Sequence, residues 1–158
     1  MTGLGSFDRR LGRRMRDALA VLPGGTRAGR VASESLAPAF EALVVALLTR
    51  PGARRAGLET LLSGAAASTV ARLARDAIAR PRPGPRPEGG FPSRHAAAAV
   101  AIAGAATRHH PRLRPWLAAA IVAGLAGRVA TGDHEPSDIV AGAVLGWSVD
   151  RLVARAAR

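Results

Sequence analysis

The apolar residues of this chain are almost all small, and that narrows the folds open to it more than any other feature. Hydrophobic residues make up 48% of 158 positions, yet aromatics are only 3% and there is no Tyr. Alanine and glycine carry much of the apolar content, so any core must pack small residues closely. The length suits one domain with a single buried core and is too short for two ordinary ones.

Helical spacing recurs along the sequence, and no strand pattern or internal repeat appears. Over 6–22, Phe7, Leu11, Met15, Ala18, Leu19 and Leu22 fall at helical intervals, with Arg9, Arg10, Arg13, Arg14 and Arg16 between them. This predicts a basic amphipathic helix, either an ordinary solvated one or one lying on an anionic membrane surface. Pro23-Gly24-Gly25 breaks it. Further helices are predicted over about 33–49, 57–75, 94–107, 116–131 and 136–157, with Pro51-Gly52 and His109-His110-Pro111 as breaks and Pro136 suited to a first turn. The segment 80–92 holds five prolines and three glycines and must be a loop. The expected architecture is all-α: a compact bundle of about five core helices plus the N-terminal amphipathic helix. Residues 1–30 form that helix and a linker, and 31–158 form the main domain.

Hydropathy leaves the membrane question divided. A span needs roughly 20 mostly apolar residues. The cleanest charge-free runs, 95–107 and 115–127, are shorter, Glu34, Glu41, Glu59 and Arg72 interrupt the first two core helices, and mean hydropathy is only +0.11. Against this, Gly142 and Gly146 form a small-xxx-small pair that permits close helix approach in a bilayer and offers a homodimer seam; tight packing in a soluble bundle is the other reading.

The formal charge is +12, and every basic residue is Arg. A guanidinium is a planar fork suited to phosphate oxygens, so nucleic acid, anionic headgroups or a phosphorylated substrate are the partners such a charge implies. Genomic base composition also produces an Arg-for-Lys bias, so composition alone decides nothing. Without cysteine, disulfides, thiolate catalysis and Cys-based zinc sites are excluded. The first 22 residues lack the uninterrupted apolar stretch and cleavage site of a signal peptide, so a freely secreted enzyme is not expected.

Three clusters at predicted helix ends and loops carry the chemistry. Arg75 and Arg82-Pro83 flank a proline-rigidified exit. Pro92-Ser93-Arg94-His95 starts a helix with a hydroxyl and an imidazole in its first turn, where exposed amides make an anion site. Arg128, His134 and Asp138 follow, the carboxylate four residues beyond the imidazole. Singly, each has an ordinary explanation: Ser93 as an N-cap, His134 with Asp138 as a structural pair, Arg82-Pro83 as plain loop. His109 and His110 read as solvated turn residues, and no metal site is expected.

Together, in order and spacing, these clusters resemble the signature of the PAP2 family, the type 2 phosphatidic acid phosphatases: Lys-x6-Arg-Pro, then Pro-Ser-Gly-His, then Ser-Arg-x5-His-x3-Asp. The resemblance covers about 75–146. Three departures are Arg75 for Lys, Arg94 for Gly, and Gly127 for Ser; none removes a titrating group. The resemblance implies that His134 is the nucleophile, Asp138 its orienting partner and His95 the general acid and base. Arg75, Arg82, Ser93, Arg94 and Arg128 would bind phosphate, with no metal or other cofactor. It favours integral membrane helices over a soluble bundle and a lipid phosphate or diphosphate as substrate. Size and Arg/Ala-rich composition suggest a polyprenyl-linked one such as decaprenylphosphoryl-5-phosphoribose.

Counting helices puts the three motifs on the face that carries the N-terminus, and the N-terminal arginines favour a cytoplasmic-facing site. Arg50, Arg54, Arg55, Arg112 and Arg114 on the other side weaken that signal. Two rivals are a non-catalytic PAP2-like lipid-binding or assembly protein, opposed by the presence of both His95 and His134, and a basic helical nucleic-acid binder. Nucleic acid is not the expected partner, because stacking aromatics and a recognition motif are missing.

Overall fold

Arginine-bearing helix ends and proline-glycine breaks divide the described residues into six α-helices. The computed structural model describes residues 3–80 and 89–158, with side chains from residue 6 onward. In chain order the helices are α1 (Gly3–Val21), α2 (Gly25–Thr49), α3 (Arg54–Ile78), α4 (Arg94–His109), α5 (Arg114–Ala130) and α6 (Pro136–Ala156). A single 3-10 turn, Pro111–Leu113, precedes α5, and no strand occurs among the described residues. The all-α expectation holds.

Several boundaries differ from the sequence reading. Residues 25–30, expected as linker, already belong to α2. Gly25 is buried, and Gly29 lies against Gly127 and Ala130 of α5, so packing extends the helix back to its glycine break. α3 likewise runs further at both ends than 57–75, and α2 continues through Pro38.

α4 is the centre of the bundle, packed chiefly on α3 and α6, while α2 pairs with α5. Its core face is alanine: Ala96, Ala97, Ala99, Ala101, Ala105 and Ala106 are buried. Facing glycines let the neighbours approach. A Cβ on Gly142 would fall 2.3 Å from the Ser93 carbonyl oxygen, and one on Gly146 would fall 2.2 Å from that of Ala97. These two glycines therefore seat α6 on α4 within one chain. They are not available as the dimer seam suggested by their spacing. Gly127 serves α2 and α5 in the same way, its Cβ position lying 2.2 Å from the Gly29 carbonyl oxygen. A serine there, the residue of the family pattern, would meet that backbone.

Leu36, Phe40, Leu47 and Leu125 are buried, but the most deeply buried sizeable side chains are polar. The largest side chains under 2% exposed are His134, Thr60, Asp138, Ser63 and Ser93. Large apolar residues point outward, including Leu58, Leu61, Leu62 and Leu73 on α3, Trp116 and Val122 on α5, and Val140, Val144 and Trp147 on α6. Soluble monomers rarely expose so much contiguous apolar surface, whereas helices in lipid pack through small residues and turn large ones outward. Among the described residues, α2 and the stretch 111–130 are long and apolar enough to cross a membrane. These outward apolar faces and the two long apolar helices suit a bilayer, the setting that the sequence reading favoured.

Candidate active site

α4 and α6 begin at one pole of the bundle, which brings the second and third sequence clusters together, and Arg80, just beyond α3, reaches Asp138 there. Ser93 caps α4, its hydroxyl accepting from the Ala96 amide at 3.4 Å. The Ser93 amide in turn donates to the Asp138 carbonyl at 2.9 Å, joining the second cluster to the third through backbone alone. After α5 the chain turns back on itself through Gly132, at φ +75°, and the amides of Asp133 and His134 both donate to the Arg128 carbonyl at 3.0 and 3.3 Å. That turn explains the spacing of Arg128 and His134: five intervening residues bring the imidazole back over its own helix end.

His134 is 1% exposed. Its Nδ1 lies 3.4 Å from Asp138 Oδ2 and its Nε2 lies 3.3 Å from Ser93 Oγ. Asp138 Oδ2 also accepts from the Glu135 amide at 3.0 Å, which holds the carboxylate at the first turn of α6. With the carboxylate taking the proton of Nδ1, the Nε2 lone pair faces Ser93 and the pocket. Such a ring can act as a nucleophile or accept a proton, with Asp138 stabilising the cation that results.

Arginines sit on the helix ends near this core. Arg128 is buried, donating to the Ser33 carbonyl of α2 at 3.3 Å and lying 3.7 Å from Asp133. Arg75, near the end of α3, lies 3.6 Å from Asp76 and packs on Gly89. Arg94 is the first residue of α4. Arg82 lies outside the described residues. His95, one residue further along α4, lines a cleft of about 80 Å³ with Leu36, Ala37, Phe40 and Glu41 of α2 and Ala98, Ala99 and Ile102 of α4. The cleft is mostly apolar, with Glu41 and His95 as polar groups in its lining.

Sequence reasoning missed four residues that the structure adds. Arg80 lies 2.8 Å from Asp8, 2.9 Å from Ser137 Oγ and 3.4 Å from Asp138 Oδ1. Asp8 of α1 also accepts from the Ser137 amide at 3.0 Å and from the Ser137 hydroxyl. Burial alone would raise the Asp8 pKa, but the bonds from Ser137 and Arg80 outweigh it and hold the carboxyl below its ordinary value. The fourth is Glu135, whose carboxyl is pushed above the usual range by burial, with Arg16 opposing the rise. Its Oε2 rests where a Cβ on Gly12 would be. The signals were present: Asp8 is a carboxylate set beside arginines, and Arg80 precedes Arg82 in one Arg-Pro-Arg-Pro run. Neither identifies its partner without the fold.

The bundle turns large apolar side chains outward and holds an imidazole, a carboxylate and a hydroxyl together, buried at one end. Residues 56–158 match the PAP2 superfamily, and the chain belongs to it. A search of curated proteins finds no match. Among solved structures, the chain is similar to the first transmembrane PAP2-type phosphatidylglycerolphosphate phosphatase structure, from Bacillus subtilis. The TM-score is 0.76 at 20% sequence identity, covering 98% of this chain and 86% of that one. At that identity the likeness is one of fold.

Proposed function

We propose that this protein is a lipid phosphate phosphatase working through a phosphohistidine. The observation that carries the reading is the buried imidazole of His134, set between Asp138 and Ser93 with Arg75, Arg80 and Arg128 on the flanking elements. Nε2 of His134 attacks phosphorus as the bond to the lipid oxygen breaks, and His95 gives that oxygen a proton. Water then attacks the phosphohistidine, His95 takes its proton, the P–N bond breaks and inorganic phosphate leaves. Ser93 turns its hydroxyl from Nε2 to a non-bridging oxygen when substrate enters. Arg75, Arg82, Arg128 and the Arg94 amide hold the remaining charge, most strongly in the transition state. Fixed guanidiniums supply the positive charge, so the reaction proceeds without metal.

The apolar cleft beside His95 supports a lipid substrate, its chain leaving between α2 and α4. Within that class we favour a polyprenyl-linked phosphate such as decaprenylphosphoryl-5-phosphoribose. The competing member is phosphatidylglycerol phosphate, the lipid for which the Bacillus subtilis phosphatase is named. The test is phosphate release by purified protein in detergent from phosphatidic acid, phosphatidylglycerol phosphate, polyprenyl diphosphate and polyprenyl-phosphoryl phosphopentose. Turnover persists in excess EDTA, is inhibited by vanadate and is abolished in His134→Ala. Normal activity in that variant overturns the nucleophile, and a strict magnesium requirement overturns the mechanism.

A further inference from the structure

We infer that Asp8, on the N-terminal helix, is a positioning residue of the site, holding Arg80 so that Asp138 remains committed to His134. The inference rests on the phosphatase reading above. Asp8 is 7% exposed, on a helix whose Arg10, Arg13 and Arg14 are exposed. Its carboxylate receives the Ser137 amide, the Ser137 hydroxyl and Arg80 Nη2. Arg80 therefore stands between two carboxylates, at 2.8 Å from Asp8 and 3.4 Å from Asp138 Oδ1. Its guanidinium also lies 5.6 Å from the centre of the Phe91 ring.

Asp138 divides its two oxygens between His134 and Arg80. Oδ2 serves His134 and Oδ1 faces Arg80. As Nε2 bonds to phosphorus the imidazole becomes cationic, and the negative charge on Asp138 is what stabilises it. A guanidinium with no other counter-ion would close on Asp138 and offset that charge; one already paired with Asp8 does not. Asp8 thus acts on the reaction from a helix outside the five-helix bundle, through Arg80 and Asp138. Among the described residues, the charged side chains of Glu135 and Arg16 also lie close by, both beside Gly12 of α1.

The test is a double-substitution cycle on the full chain in detergent with phosphatidic acid micelles, with Asp17→Asn on the exposed side of α1 as control. Asp8→Asn lowers kcat about tenfold with KM changed less than about twofold, and Asp8→Glu restores most of it. Because Asp8 works through Arg80, adding Asp8→Asn to Arg80→Gln causes no further loss. Additive losses, or a fall confined to KM or to melting temperature, overturn the inference. Equal turnover by wild type and Asp8→Asn sinks it while leaving the phosphatase reading intact. No turnover by wild type on phosphatidic acid or on any other lipid of the four-member panel sinks the phosphatase reading and this inference with it.

Discussion

Ser93 shows how one side chain serves fold and chemistry together. Its amide bonds to Asp138, its hydroxyl caps α4, and the same hydroxyl meets Nε2 of His134. From sequence alone the cap and the phosphate contact are alternatives, whereas a helix start facing His134 leaves one hydroxyl placed for the cap and for the contact we propose. Asp138 likewise has a structural and an electrostatic part. Asp138→Asn keeps the shape of the first turn of α6 but removes the charge that stabilises a cationic His134. It should lower kcat by about 100-fold or more with KM nearly unchanged, measured by steady-state phosphate release. A change in KM alone would assign Asp138 to substrate binding instead.

Helix α1 and the α4–α6 contact each yield a prediction at the scale of elements. The lowered carboxyl of Asp8 contributes docking energy that is present above the ordinary carboxylate range, about pH 4, and is lost as pH falls through its folded value. Glu135 has the opposite sign: its raised carboxyl takes up a proton first on acidification, which removes a buried charge beside α1. α1 should therefore keep its hydrogen-exchange protection in mildly acidic buffer and lose it only below about pH 4. Protection lost between about pH 7 and 5 would contradict this. In the α4–α6 contact, Gly142→Ala and Gly146→Ala each force a methyl against backbone and should cost about 1–3 kcal/mol of stability. Gly142→Ala should also lose activity at equal folded fraction, because the carbonyl it displaces belongs to Ser93. Equal specific activities of the two folded variants would show that α6 shifts without moving the site.

At the scale of the whole molecule, polar networks close both ends of the bundle. Opposite the site, buried Asp150 of α6 accepts from Ser63 of α3 at 3.1 Å and pairs with Arg108 of α4 at 2.5 Å. Nearby, Glu59 lies 2.8 Å from His109 and 3.1 Å from Arg55. His109, expected as a solvated turn residue, is thus bonded to α3. Arginines flank both poles, so our proposal of a cytoplasmic-facing site rests on their density in α1. A single cysteine at Asp17, in a chain that has none of its own, should react with an impermeant maleimide only after the cells are permeabilised. Labelling of intact cells would reverse the orientation.

Helical periodicity, the proline-rich exit and the spacing of His134 and Asp138 are local properties, and local chain geometry determines them: helices, their approximate breaks and an imidazole–carboxylate pair on one turn follow from order along the chain. The Asp8–Arg80 pair and the seating of Gly142 against Ser93 join residues 72 and 49 positions apart, and no periodicity encodes such partners. Those contacts were decided when helices lined with alanine and glycine approached closely enough for one backbone to exclude a methyl group, and an amphipathic arginine-rich helix turned a carboxylate inward.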